Sequence, residues 1–275
     1  MRTEKIGFVG GGNMAACLMT GLIQSGFSAQ NIWVSDVRED VLLKHAEHLN
    51  VNTTTENAQL AHVVDVVVLA VKPQVLRETA QEIAAIVQKK QSLVVSIAAG
   101  IGQKSLRHWL GDHVAIVRTM PNTPALVMSA VTALHANEYV GDDEKQLAEN
   151  ILRAVGITLW VEHESELDAV TAVSGSGPAY FFLLMEAMEW AAVELGLNEK
   201  TARILVQQTA MGAAKIALES SDTPAQLRQR VTSPGGTTQK ALDVFEQGEF
   251  KQLVSKALHA ARDRSIELSK ELGEE

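Results

Sequence analysis

The chain has 275 residues, 46% of them hydrophobic, a formal net charge of -9 and one cysteine. That is enough apolar material for one large or two moderate cores, whereas the negative charge argues against nucleic acid or an anionic membrane as partner, and a lone cysteine excludes an internal disulfide. A cytoplasmic small-molecule role fits these limits, since the first strand begins too early for a signal peptide and no apolar run nears the ~20 residues of a membrane span.

The first predicted element is a strand from Lys5 to Val9 that breaks into Gly10, Gly11 and Gly12 and leads into a helix from Asn13 to Ser25, stopped by Gly26. In Gly10-x-Gly12-x-x-Ala15 the first glycine permits the turn and the second lets a pyrophosphate approach the backbone; the third small residue lets helix and strand pack closely. The helix start offers unpaired N–H groups and a positive dipole end to the phosphates, which makes Gly10, Gly11, Gly12, Asn13 and Met14 dinucleotide-binding candidates. Cys17, inside that helix, reads as a small core residue rather than a nucleophile. Ile32 to Ser35 is a second strand, ending at Asp36-Val37-Arg38. Asp36 stands roughly 20 residues beyond the glycine loop, where a carboxylate accepts from the adenosine ribose hydroxyls and favours NAD. Arg38 is placed to pair with the 2′-phosphate of NADP, or to be a solvated charge at a helix start. The two signals conflict, and these residues by themselves leave the cofactor open.

Val51 to Thr53 reads as a third strand, and Asp65 to Val71 is a continuous apolar run of the kind that suits a parallel strand buried on both faces. It ends in Lys72-Pro73-Gln74, with Pro73 placed to start a helix through about Lys89. Ser92 to Ile97 is another buried strand, ending at Ala98-Ala99-Gly100, and Val114 to Arg118 is the next. Thr119-Met120-Pro121-Asn122-Thr123-Pro124 follows, where two prolines fix a rigid non-helical loop. Ser129 to His135, a helix from about Asp142 to Ala154, and Ile157 to Val161 bring the count to about eight strands. The alternation predicts an α/β domain with an open, mostly parallel sheet, right-handed crossovers and ligands at the carboxyl ends of the strands. Lys72, the turn at Ala98 and the loop holding Asn122 all fall at such ends; a solvent-facing loop lysine is the plain alternative for Lys72.

From about His163 onward the pattern is helical, which sets a domain boundary between 1–162 and 163–275. Ser174-Gly175-Ser176-Gly177-Pro178 reads as a break, with Pro178 in the first turn of a helix to about Leu195 that is apolar nearly all round. Such a helix must be buried on most sides; a domain of little more than 100 residues can hardly do that alone, so a subunit interface is expected. Helices follow over about Glu199 to Glu219 and Pro224 to Gln229. Ser233-Pro234-Gly235-Gly236-Thr237-Thr238 then leads into a helix from about Gln239, and either cradles a carboxylate or phosphate in N–H groups and hydroxyls or merely joins two helices with a threonine N-cap. Glu249 to about Lys270 is the last helix, and Gly273 to Glu275 should fray.

With these residues in view, the chain resembles pyrroline-5-carboxylate reductases, which reduce a cyclic imine to proline. The carriers are Phe8 to Met14, Ala70-Val71-Lys72-Pro73, Val95 to Gly100, Arg118 to Pro124, Val173 to Tyr180 and Ser233 to Thr238, six stretches in order over nearly the whole chain. The resemblance implies a Rossmann-like nicotinamide-binding domain joined to an all-helical domain that dimerises by intertwining, with dimers assembling into decamers. It implies that Ser233, Gly235, Gly236, Thr237 and Thr238 hold the substrate carboxylate, supplied by the partner subunit, with the Thr238 hydroxyl at the imine nitrogen. Ala70, Val71, Pro73 and Ala98 go with the cofactor, and Lys72, Asn122 and Ser176 with its nicotinamide end; the family varies between cofactors at Asp36 and Arg38, with NADP favoured here and NAD the alternative. No metal ligand set is assigned. Two other functions compete: a two-domain hydroxyacid dehydrogenase, which would need a proton-transferring lysine early in the helical domain where none occurs before Lys200, and a non-catalytic nucleotide sensor, against which the intact Ser233 to Thr238 loop speaks.

Overall fold

The computed structural model describes residues 4–273. By internal contacts the chain divides into two compact units, one of residues 1–176 with 260–275 and one of residues 177–259.

The first unit is built on eight strands: β1 (Ile6–Val9), β2 (Ile32–Ser35), β3 (Asn52–Thr54), β4 (Val66–Leu69), β5 (Leu93–Ser96), β6 (Ile116–Met120), β7 (Ala130–Ala136) and β8 (Gly156–Trp160). They form one sheet in the order β3-β2-β1-β4-β5-β6-β7-β8. All neighbours are parallel except β6 and β7, which run antiparallel. Helices α1 (Asn13–Gln24), α2 (Glu39–Leu49), α3 (Asn57–Val63), α4 (Pro73–Lys90), α5 (Gln103–Leu110), α6 (Asp142–Arg153) and α7 (Glu166–Val170) connect and cover it. The Val-Val-Val-Leu of β4 and the Leu-Val-Val-Ser of β5 are buried at every position. That is the reason for their nearly unbroken apolar character, Ser96 being the one polar residue: a central parallel strand has helices on both faces and no wet side. At ~1.5–3 kcal/mol for each fully buried Val or Leu, these two strands anchor the unit. One core lies on each face, with Phe8, Leu18, Met19, Val68 and Cys17 in one and Val67, Leu76, Ile83 and Trp109 in the other.

The order reverses beside β1, whose neighbours are β2 and β4. There the crossovers leave to opposite sides and open a crevice at the carboxyl ends, where open α/β sheets take their ligands.

Three local expectations need correction. The segment over 119–124 is not wholly loop: β6 continues to Met120, and Thr123–Val127 winds into a 3-10 turn entered through Pro124. Ser174 to Pro178 is not a break, because α7 runs on into a π-helical turn over Thr171–Gly175 and the next helix opens at Gly177. The π turn inserts an extra residue without interrupting the helical path. Finally, Gly273 is still helical, while the fraying expected of Glu274 and Glu275 lies outside the described residues.

The second unit holds α8 (Gly177–Glu194), α9 (Glu199–Glu219), α10 (Pro224–Arg230), α11 (Thr237–Gln247) and the start of α12 (Phe250–Gly273). Asn198 caps α9 by accepting from the Thr201 N–H at 2.9 Å, and Thr223 caps α10 by accepting from the Gln226 N–H at 3.3 Å. No strand occurs in it among the described residues. The remainder of α12 belongs to the first unit, where the Ser265 hydroxyl donates to Asp168 at 2.7 Å, Ser105 donates to the Gly273 carbonyl at 3.1 Å, and Leu272 packs on the core.

Candidate active site

In the first unit the glycine loop is fixed by sterics and by hydrogen bonds. Gly10 has φ +100°, and a Cβ there would lie 2.8 Å from the Ala70 carbonyl oxygen, so only glycine fits the turn. Gly11 is clamped on both sides: its N–H donates to Asp36 Oδ2 at 2.9 Å, and its carbonyl accepts from His45 Nε2 at 2.8 Å. A carbonyl only accepts, so the imidazole carries its proton on Nε2. Gly12 is the N-cap of α1, and a Cβ built there meets nothing within 4 Å. No side chain caps α1 and no acid lies in its first turn. The amides of Asn13, Met14 and Ala15 therefore have no side-chain cap, with the positive end of the helix dipole behind them, which suits a pyrophosphate.

Asp36 and Arg38 follow β2. Asp36 Oδ1 accepts from the Arg38 N–H at 3.0 Å and from Nε at 3.1 Å; Oδ2 accepts from Gly11 and from an Arg38 Nη at 3.1 Å. Those four bonds fill the roughly four acceptor positions of a carboxylate, leaving none for a ribose hydroxyl. Burial by itself would push the Asp36 carboxyl up, but the hydrogen bonds from Arg38 and Gly11 and the guanidinium charge outweigh it and hold the group below its ordinary value. The same pairing raises Arg38, whose side chain is 58% exposed against 8% for Asp36. Of the five N–H donors of the guanidinium, three remain free on that exposed side.

The other candidates sit along the same edge. Ala70 and Val71 follow β4; Lys72 is the N-cap of α4 and Pro73 its first residue. Ala98 follows β5 and is buried. Asn122, just past β6, is also buried and fully engaged: its amide nitrogen donates to the Ser174 hydroxyl at 3.1 Å and carbonyl at 3.4 Å, and its oxygen accepts from the Val131 N–H at 3.1 Å. It thus pins the π turn that ends beside Ser176. Arg118, buried on β6, pairs with Glu164 at 2.9 Å, and the same Glu164 oxygen accepts from the Gln103 N–H at 2.6 Å.

In the second unit, Ser233 to Thr238 forms a tight turn closed by Gly236 N–H donating to the Ser233 carbonyl at 3.0 Å, with Gly235 at φ +71°. Helix α11 starts at Thr237, two residues earlier than the sequence suggests, with Gly236 as N-cap in place of a threonine. Thr237 and Thr238 are therefore first-turn residues whose amides, like those of α1, have no side-chain cap and no neighbouring acid. By contrast α5 has its first N–H taken by Glu164, and α6 carries Asp142, Asp143 and Glu144 in its first turn.

Sequence reasoning passed over His45, because helix α2 was not read. The signal is there: Leu42, His45 and Leu49 are spaced i, i+3, i+7, which puts the imidazole on the inward face. Among the described residues no group of three or more His, Cys, Asp or Glu converges as a metal site, and no helix is long and apolar enough to cross a membrane.

Comparison with known proteins agrees with this geometry. Residues 164–268 match the family model for pyrroline-5-carboxylate reductase dimerisation, and residues 5–100 match that for NADP oxidoreductase, coenzyme F420-dependent. The chain is 48% identical over 274 residues to the pyrroline-5-carboxylate reductase of Pseudomonas aeruginosa, covering 100% of both chains, and 42% identical to that of Pasteurella multocida, covering 98% and 99%. Among solved structures, the Coxiella burnetii pyrroline-5-carboxylate reductase superposes with TM-score 0.94 at 47% identity over 98% of this chain and 100% of the other. The Plasmodium falciparum enzyme, solved with NADP bound, gives 0.87 at 30% over 98% and 99%. With both of its halves matched in order and full-length relatives near half identity, the chain belongs to the pyrroline-5-carboxylate reductase family.

Proposed function

We propose that this chain reduces 1-pyrroline-5-carboxylate to L-proline with NADPH, the last step of proline biosynthesis, as a homodimer assembled further into a decamer. The observation that carries this reading is a pair of glycine-capped helix starts with free amides, one in each unit, at Gly12 and at Gly236. The reaction needs two anion sites, one for a pyrophosphate and one for a substrate carboxylate. NADPH is favoured over NADH because the acceptors of Asp36 are already filled while Arg38 keeps free donors for a 2′-phosphate; NADH remains the second cofactor.

Bound reduced nicotinamide supplies a hydride to the carbon of the C=N bond, which is electrophilic when the nitrogen is protonated. The protein's part is to hold donor and acceptor aligned and close. Gly10, Gly11, Gly12, Asn13 and Met14 take the pyrophosphate, and Ala70, Val71, Pro73 and Ala98 line the cofactor. Lys72, Asn122 and Ser176 set its nicotinamide end, Asn122 by holding the Ser174 turn. Ser233, Gly235, Gly236 and Thr237 hold the substrate carboxylate, presented to the partner subunit's cofactor. The Thr238 hydroxyl bonds the ring nitrogen; an alcohol is far too weak an acid to protonate it unaided, so this contact orients.

We place the functional boundary at 162/163, supported by the dimerisation match starting at 164; the contact units divide at 176/177 because α7 and the π turn pack on the sheet side. A cytoplasmic location fits the acidic charge and single cysteine. The test is to follow NADPH absorbance with pyrroline-5-carboxylate, beside a panel of 2- and 3-hydroxyacids with the oxidised cofactor. Oxidation of NADPH by the imine alone is expected; turnover of a hydroxyacid alone would refute the reading.

A further inference from the structure

A trans peptide points its C=O and its N–H in opposite directions. The Gly11 carbonyl belongs to the same peptide unit as the Gly12 N–H, so whatever holds that carbonyl aims that amide. The holder is His45: its ring is buried on α2 and Nε2 donates to the Gly11 oxygen at 2.8 Å. A Cβ on Gly11 would lie 3.1 Å from the same Nε2, so the ring also fills the space behind the loop. Opposite, the Gly12 N–H has no partner among the described residues, and a Cβ built on Gly12 would meet nothing within 4 Å. A diglycine is the segment most free to flip its peptide, and a flip would turn a carbonyl oxygen toward the phosphates.

We propose that His45 is a positioning residue of the dinucleotide site, locking the Gly11–Gly12 peptide with its N–H toward the pyrophosphate. It touches neither cofactor nor substrate and acts through the loop. The inference rests on the dinucleotide reading of that loop.

The experiment uses the full chain and three variants. In His45→Gln the amide nitrogen stands near where Nε2 stood and still donates; in His45→Asn it falls short; His45→Phe keeps the ring without the donor. NADPH affinity is measured by fluorescence titration, and that of 2′-AMP, which lacks a pyrophosphate, by competition. His45→Asn and His45→Phe should weaken NADPH by roughly 5- to 100-fold, one hydrogen bond's worth, with 2′-AMP unchanged, and His45→Gln should bind NADPH nearly as the parent does. Equal losses for both ligands would assign His45 a merely structural role, and failure of His45→Gln to rescue, or undiminished NADPH binding in the other two, would overturn the proposal. Absence of NADPH binding by the parent chain would instead remove the dinucleotide reading itself.

Discussion

On the proposed reading, cofactor choice turns on Arg38. Its partner Asp36 has both oxygens doubly engaged, three of the four bonds coming from Arg38 itself. Arg38→Ala is expected to raise KM for NADPH roughly tenfold or more, a charge-assisted contact being lost, and to leave NADH nearly unaffected; equal effects on both would return Asp36 to ribose binding. Thr238 is the other residue with a quantitative expectation. If its hydroxyl only orients the imine, Thr238→Ala loses one hydrogen bond of about 1–3 kcal/mol and kcat/KM falls roughly 5- to 150-fold. A drop beyond about a thousandfold, restored by Thr238→Ser, would instead place the hydroxyl in a proton path.

At the scale of the element, neighbouring glycines of one turn do different work, and substitution separates them. Gly10→Ala meets the Ala70 carbonyl and a positive φ, so it is expected to cost at least about 1–3 kcal/mol of stability, seen as a Tm drop of about 2–4 °C per kcal/mol. Gly12 has φ -70° and open space around it; Gly12→Ala should leave Tm in place and abolish tight NADPH binding by putting a methyl where the pyrophosphate goes. The strands were legible from the sequence because runs such as Val66 to Leu69 are short, rich in β-branched residues and bounded by Asp65 and Pro73. The seven-residue α3 was not, being too short to show a period, and neither was α2, where Lys44, Glu47 and His48 mask the apolar spacing of Leu42 and Leu49. His45 was lost with it. The first turn of α11 was misjudged because threonines look like caps; the closed Ser233 turn makes Gly236 the cap instead. Asn122 lies at the expected strand edge, but its bonds to Ser174 reach 52 residues along the chain and leave no local mark.

At the scale of the whole molecule, α8 carries the clearest mark of association. Phe181, Phe182, Leu183 and Trp190 are each about two-thirds exposed on the single chain, and within α8 Gly177 alone is buried. Apolar surface of that extent marks an association face, in keeping with the match to a dimerisation family. Light scattering should find at least a dimer, and Phe181→Glu with Trp190→Glu should shift it toward monomer and abolish reduction while NADPH binding persists; a monomer with full activity would refute the partner-supplied substrate loop.

Residues 260–273 lie on the first unit, yet they are made only after the whole second unit has been synthesised. Their contacts at Asp168, Ser105 and Leu272 cannot form while the helical unit is still being synthesised. The nucleotide-binding unit therefore gains its last helical contacts only at the end of synthesis, although its glycine loop emerges first, and a chain cut short by translational arrest lacks the bonds at Asp168 and Ser105 and the packing of Leu272.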